Sequence, residues 1–472
     1  VVKKEFGKKY PILRTVTPEG KMEKGIIGEG LFVKEANGVI KNDLGDKIFK
    51  FNEYEHDYPH CWRCDTPVLY LARESWWVKK PVPKLVANNK KIQWHPDYLQ
   101  EGRFGEWLRE PKDWAFSRER YWGVPLPVWQ CGACGAIEVI GALSELEAKI
   151  PSSKNSYILM RHGEAESNMI NKIDDTLTTY HLTERGKQQV AAALKKLKRL
   201  DIDMVYASPI LRTKETAEMA AKELGFKVHF DDRLQEIHLG EFRGRPPKDY
   251  HARFLTIASK FNERPKDGES LRDLRARVIA FMQEVEAKHE GKTILIVSHE
   301  YPIWMLMTAG SGMDEKGAAE EKSKRGKDFL ETAGIEKFLF KKLPYSHTGE
   351  VDLHRPFIDE MAWPCTCGGS MRRAPEVCDV WFDSGAMPFA EDHWPFESSR
   401  KQKAISGKRV KEPDFFPAEF ICEGVDQTRG WFYTLLAVST LLGFPPPYKN
   451  VLSLGHVLDK NGQKMSKSKG NV

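Results

Sequence analysis

Two histidines follow apolar runs in the same way. Tyr157-Ile158-Leu159-Met160 leads directly into Arg161-His162-Gly163-Glu164, with Asn168 six residues past His162, and Ile294-Leu295-Ile296-Val297 leads to His299. If both runs are strands of one parallel sheet, the imidazoles lie at the carboxyl ends and face one crevice, where such sheets bind ligands. Arg212, in Ser208-Pro209-Ile210-Leu211-Arg212-Thr213, and Glu236, in Leu234-Gln235-Glu236-Ile237, lie between them in the chain. Phosphoryl transfer needs a nucleophile, cations to neutralise the equatorial oxygens and an acid for the leaving group, and this set holds all three. Glu300, directly after His299, is expected to repel a phosphate and weaken such a site.

A second set is made of cysteines. Of eight, six stand in Cys-x-x-Cys or Cys-x-Cys pairs, which outside a secreted protein points to metal ligation rather than disulfides. Cys131-Gly132-Ala133-Cys134 and Cys365-Thr366-Cys367-Gly368-Gly369 supply the four thiolates of a closed tetrahedral structural zinc site. The long stretch between the two knuckles makes such a zinc a staple at the root of whatever lies between them. Cys61 and Cys64 make only half a site, and Cys378 and Cys422, beside apolar residues, are expected to pack. A third set is the basic end of the chain, Lys464-Met465-Ser466-Lys467-Ser468 after the Asn461-Gly462 turn, a loop able to hold nucleotide phosphates in a transition state.

The elements that carry these residues change style along the chain. Up to about residue 60, turn signals such as Pro18-Glu19-Gly20 and Asn37-Gly38 predict strands and loops. Residues 60–134 are dense in Trp, Arg and Pro. After a linker at 150–155 come a strand at 157–160, an amphipathic helix at 183–200, a strand at 204–206, a helix from Arg212, a helix at 271–287 and a buried strand at 293–297, the alternation of an α/β domain with a mainly parallel sheet. Asp314–Lys327 is polar enough for an exposed helix or loop. The Trp/Pro-rich style returns by Tyr345–Pro356, so one style brackets another, as in domain insertion.

Hydrophobic residues at 41% and charged residues at 30% describe a globular protein, and no run reaches the roughly 20 apolar residues of a membrane span. A net charge of +6 suits an anionic partner without specifying one. No targeting segment is legible, and a cytoplasmic protein acting as a monomer is expected.

In this order the residues of 156–310 resemble the histidine phosphatase superfamily. That resemblance implies that His162 becomes phosphohistidine, that Arg161, Arg212 and His299 clamp the phosphate, that Glu236 donates the proton and that Asn168 adds a hydrogen bond; the phosphorylated substrate stays unknown. Outside the insert, Val380-Trp381-Phe382-Asp383-Ser384-Gly385, Glu423-Gly424-Val425-Asp426-Gln427-Thr428-Arg429-Gly430-Trp431-Phe432, Leu454-Gly455-His456-Val457 and the lysine loop resemble the Rossmann-type catalytic domain of class I aminoacyl-tRNA synthetases. The runs His60-Cys61-Trp62-Arg63-Cys64, Glu74-Ser75-Trp76-Trp77 and Asp113–Gly123 look like the isoleucyl kind.

This second resemblance implies ATP with Mg2+, isoleucine and its tRNA as substrates. Lys464 and Lys467 stabilise the pyrophosphate-leaving transition state, and Glu423, Gly424, Asp426 and Gln427 hold the aminoacyl-adenylate. Trp381 and Trp431 wall the isoleucine side chain, Gly455 and His456 lie near the adenosine, and Cys131, Cys134, Cys365 and Cys367 bind zinc. The expected fold is α/β: an editing-domain remnant (1–60), a first catalytic segment with the zinc knuckle (61–150), the inserted phosphatase-like domain (151–345) and a second catalytic segment (346–472). A His-x-Gly-His signature and an anticodon domain are missing from this text, so a fragment unable to activate isoleucine alone is expected. The alternative for the insert is a dead binding or passenger module; the working expectation is a passenger with its own phosphatase chemistry.

Overall fold

The computed structural model describes residues 15–463 and 465, apart from 53, 62, 63, 70, 72, 111, 397–401, 406, 407, 412 and 414, and the side chains of 402–405 and 408–411. Contacts divide the chain into two units, Val1–Trp76 and Trp77–Val472. In the first, Gly20 turns at φ +78°, and a Cβ there would lie 2.8 Å from Leu69 Cδ1. The stretch expected to be strands and loops contains a helix, α1 (Val33–Leu44). Glu35 closes its first turn by accepting from Phe32 N at 3.3 Å. Asn37-Gly38, read as a turn, lies inside this helix, because capping and tertiary context outweigh one glycine's cost of about 1 kcal/mol.

In the second unit the elements that matter for the sites include α2 (Val82–Asn89), β1 (Gln93–His95), β2 (Val128–Cys131), β3 (Ile137–Val139) and α3 (Leu143–Lys149). It continues through β4 (Ser156–Arg161), α4 (Glu184–Leu197), β5 (Met204–Ala207), α5 (Leu211–Leu224), β6 (Val228–Phe230) and α6 (Leu271–Lys288). Then come β7 (Thr293–Ser298), α7 (Glu300–Ala309), α8 (Glu315–Arg325), β8 (Ile335–Phe338), β9 (Ala362–Pro364) and β10 (Ser370–Arg373), and last α9 (Val380–Ala390), β11 (Ala418–Gly424), α10 (Trp431–Leu441) and β12 (Tyr448–Leu454). These bounds lie within a few residues of those the periodicity predicts for 156–298.

Five strands form one sheet in the order β8-β4-β7-β5-β6, parallel except for β8. Central parallel strands are covered on both faces and so read as unbroken apolar runs. Their residues divide by parity. Tyr157, Leu159, Ile294 and Ile296 enter the core beneath α6 and α7, while Ile158, Met160, Leu295 and Val297 enter the core beneath α4 and α5. Helix α8 corrects the expectation of a wholly exposed segment: Ala318 is buried and its carbonyl accepts from Trp304 Nε1 at 3.0 Å.

A four-stranded antiparallel sheet, β9-β10-β2-β3, pairs strands from either side of the insert, Met371 opposite Cys131. Leu143 and Ile150, on and just past α3, pack against both the core of this module and the core beneath α6 and α7. A three-stranded sheet is parallel, β11-β12-β1, and the other sheets are two-stranded. Ile421, Val451 and Trp94 pack there with Leu85, Phe104, Phe432 and Leu436.

Candidate functional sites

Strands β4 and β7 run in register, Arg161 beside Ser298, so the next residues, His162 and His299, emerge side by side with ring centroids 5.2 Å apart. Both imidazoles are buried, as is Arg212 from the first turn of α5. Arg212 donates from Nε to His162 Nε2 at 3.2 Å and from Nη2 to the Asp174 carbonyl at 2.9 Å and His299 Nδ1 at 3.2 Å. His162 Nδ1 faces the Gly163 carbonyl at 2.7 Å, which fixes the proton on Nδ1 and leaves the Nε2 lone pair toward the crevice. His299 Nε2 meets Ser208 Oγ at 2.9 Å and Thr213 Oγ1 at 3.0 Å. Burial, reinforced by the Arg212 charge, holds both rings well below the usual histidine range, hence neutral.

Two glycines permit this approach of β4 to α4. A Cβ on Gly163 would lie 2.7 Å from the Gly186 carbonyl oxygen, and one on Gly186 would lie 2.0 Å from that of Glu164.

Arg161 donates through Nη1 to the Leu330 carbonyl at 2.7 Å and pairs with Asp328 at 3.2 Å and with Glu300 at 3.4 Å. Glu300 is therefore not the free charge expected from sequence: Oε1 also takes Lys322 Nζ at 2.6 Å and Phe329 N at 3.2 Å. Glu236 accepts from Ile237 N at 2.9 Å, and desolvation raises its carboxyl to about 7 against the pull of Arg212 and Arg161. Asn168 does not join the cluster by any hydrogen bond described. It is exposed, and its Oδ1 accepts from Ala165 N at 2.9 Å, closing a local turn. Sequence reasoning missed Ser208, Thr213, Asp174 and Lys322, although Ser208 and Thr213 stand in the quoted run around Arg212.

The four expected zinc ligands converge. The sulfurs of Cys131, Cys134, Cys365 and Cys367 all lie within 4.8 Å of one another, with Cys131–Cys367 at 3.5 Å and Cys134–Cys365 at 3.7 Å. A tetrahedral zinc with Zn–S near 2.3 Å sets sulfurs about 3.8 Å apart, so the donor set fits. Gly369 leaves room for it, since a Cβ there would lie 2.8 Å from Cys131 Sγ. Among the described residues no third ligand joins Cys61 and Cys64; Cys64 Sγ lies 3.2 Å from Thr66 Oγ1. Cys378 is buried and its thiol is pushed up to about 12 by desolvation, as befits a packing residue.

In the outer sheet, Glu423 and Gly424 end β11, Asp426 and Gln427 follow in a tight turn, and Gly455 and His456 follow the neighbouring strand β12. All six thus sit at the carboxyl edge of adjacent parallel strands. Gln427 Oε1 accepts from Trp431 N at 2.9 Å, and Trp431 Nε1 donates to the Ser384 carbonyl at 3.1 Å. Trp381 reaches the same place: a Cβ on Gly430 would lie 3.1 Å from its ring. Asp379, which sequence reasoning missed, caps α9 and accepts from Arg118 Nη2 at 2.8 Å and Trp114 Nε1 at 2.9 Å. Lys464 and Lys467 lie outside the described residues. The approach to them is fixed by Asp459, whose Oδ1 accepts from Asn461 N and Gln463 N, both at 2.9 Å, and by Met465 N on the Val457 carbonyl at 3.2 Å.

A parallel sheet drawn from both flanks of a second α/β sheet defines a class I synthetase-type region that carries a histidine phosphatase fold. Residues 19–199 and 325–472 match the family of class I tRNA synthetases for I, L, M and V, and the chain belongs to that family. Residues 157–322 match the histidine phosphatase superfamily, branch 1.

Relatives include the isoleucine–tRNA ligases of Dehalococcoides mccartyi, 28% identical over 99% of this chain and 27% of the relative, and Thermus thermophilus, 29% identical over 98% and 25%. That of Clostridium novyi is 30% identical over 99% and 26%. The chain thus spans about a quarter of the length of the curated relatives it matches. Among solved structures, mycobacterial glucosyl-3-phosphoglycerate phosphatase is 22% identical, covering 39% of this chain and 88% of its own with a TM-score of 0.35. Bacillus stearothermophilus YhfR is 24% identical, covering 41% and 99% with a TM-score of 0.34.

Proposed function

We propose that this chain is the adenylate-forming part of an isoleucine–tRNA ligase and that its insert is a phosphohistidine-type phosphatase. The buried contact between Arg212 and the Nε2 lone pair of His162 carries the second half. His162 Nε2 attacks the phosphorus of a monoester, the P–O ester bond breaks, and the leaving oxygen takes the proton of Glu236, a carboxyl already near neutrality. Water then attacks the phosphohistidine, giving its proton back to Glu236 and releasing inorganic phosphate. Arg161, Arg212 and His299 hold the transferring oxygens, with Asn168 as a peripheral donor.

Hydrolysis of an aryl phosphate by the chain, beside His162→Ala, tests this. Activity lost in the variant supports it, and no activity in either overturns it in favour of a binding module.

For the synthetase half, isoleucine attacks the α-phosphate of ATP, whose phosphates are carried with Mg2+. Glu423, Gly424, Asp426 and Gln427 hold the adenylate, Gly455 and His456 the adenosine, and Trp381 and Trp431 the aliphatic side chain, while Lys464 and Lys467 meet the departing pyrophosphate. The tRNA for isoleucine accepts the product. Cys131, Cys134, Cys365 and Cys367 hold a zinc ion that supplies a structural crosslink. Isoleucine-dependent ATP–pyrophosphate exchange by the protein that carries this chain, abolished in Lys467→Ala, is the expected result; exchange with another amino acid instead overturns the isoleucine assignment.

A further inference from the structure

Arg212 has an anchor besides the two imidazoles, and the stretch that supplies it is held by a carboxylate the phosphoryl chemistry leaves unused. The anchor is the Asp174 carbonyl, which accepts from Arg212 Nη2 at 2.9 Å. Asp174 secures its own turn, Oδ2 accepting from Thr176 N at 3.0 Å. The next side chain, Asp175, is 1% exposed and reaches the segment that follows Glu236. Its Oδ2 accepts from Leu239 N at 3.3 Å and Arg243 Nη2 at 3.1 Å, Oδ1 takes Arg243 Nε, and His238 Nδ1 stands 3.5 Å from Oδ2. Backbone bonds lace the same two stretches, Ile173 N to the Arg245 carbonyl at 3.0 Å and Gly244 N to the Ile173 carbonyl at 2.8 Å.

The Glu236 segment is fixed in turn to α6, where Arg277 donates to the carbonyls of Gln235 at 2.8 Å and Glu236 at 3.0 Å. A continuous path of backbone and hydrogen bonds thus runs from α6 past Glu236 to Asp175, and on to the carbonyl that holds Arg212. Catalytic groups must stand within about 0.5 Å of the productive geometry. Asp175 brings charge as well as reach. Burial works against the Arg212 cation, and Glu236, Asp174 and Asp175 sustain it. Desolvation works against the Asp175 anion too, but hydrogen bonds from His238 and Arg243 hold its carboxyl well below the usual range. A buried carboxylate paired in this way is costly to strip of a partner.

We propose that Asp175 is a positioning residue, a buried joint that sets the phosphate clamp Arg212 and the proton donor Glu236 at a fixed separation across one phosphoryl group. This rests on the phosphatase reading of the insert.

The test is a double-mutant cycle on the chain, read by hydrolysis of an aryl phosphate. Asp175→Asn is expected to lower kcat at least tenfold, since a misplacement of about 1 Å is enough to cost on the order of 100-fold. Arg243→Met, which empties the other side of the joint, should match it, and Arg243→Lys should restore part of the loss. In Arg212→Lys, where the guanidinium fork is already gone, adding Asp175→Asn should cost less than threefold more. A residue that only supports the fold would subtract the same factor in both backgrounds. An equal loss in both, or a loss under threefold in a folded Asp175→Asn that keeps Arg212, overturns the proposal. Titration calorimetry with tungstate, a phosphate mimic that is not turned over, separates the failures. If the unaltered chain binds tungstate but hydrolyses no ester, the phosphatase reading falls and the same cycle is read in tungstate affinity. A loss in Asp175→Asn that disappears in the Arg212→Lys background then keeps the joint, and any other pattern sinks it. A chain that neither hydrolyses the ester nor binds tungstate overturns both.

Discussion

Arg212 and His162 meet at 3.2 Å, Nε to Nε2, with both side chains buried. One guanidinium thereby orders both imidazoles, since its Nη2 reaches His299 at 3.2 Å. Lysine offers a point charge in place of the fork. Arg212→Lys is therefore expected to lower kcat for an aryl phosphate at least 100-fold, and a variant within threefold of the parent contradicts this role.

Glu236 makes a pH prediction with a definite sign. Its carboxyl is raised from an ordinary 4.5 to about 7 by desolvation, so the folded state favours the protonated form. The associated stability is present below the unfolded value and is lost as pH rises through 7, by up to about 3 kcal/mol. Glu236→Gln should flatten the melting temperature between pH 5 and 8 and depress turnover of alkyl phosphates more than of aryl phosphates, whose leaving groups need less protonation. An unchanged pH dependence of melting refutes the assignment of the shift.

Gly163 and Gly186 face each other too closely for any side chain. Gly163→Ala would set a methyl 2.7 Å from a carbonyl oxygen, and overpacking of this kind costs about 1–3 kcal/mol. Thermal melting should fall by several degrees, whereas Gly225→Ala, at a left-handed helix end with open space around it, should cost less.

The cysteine cluster predicts one zinc per chain by elemental analysis. Cys365→Ser should abolish stoichiometric zinc and lower the melting temperature, because ligand binding energy at such sites is folding energy. Retention of full zinc in that variant would argue against these four thiolates.

Much of this was legible in the residues. Tyr157–Met160 and Ile294–Val297 declare buried parallel strands by unbroken hydrophobicity, and the histidines after them inherit adjacency from register. The convergence of Cys131 with Cys365 was implied by ligand count alone. What was hidden depends on distances across the sequence. Glu300 looked like an obstacle because nothing in its neighbourhood shows that Lys322, from a helix read as solvated, would claim it. Asp379 was passed over because its partners Arg118 and Trp114 lie more than 250 residues away. Helix α1 was missed because local turn signals say nothing about the contacts that outvote them.

Leu143 and Ile150 belong to two cores at once. A short helix pinned on both sides cannot loosen toward one without stripping the lining of the other. Amide hydrogens of α3 should exchange with deuterium only when the less durable of the two cores opens, which makes Leu146, buried between them in sequence, a reporter of how strongly the inserted domain and its host feel each other's breathing.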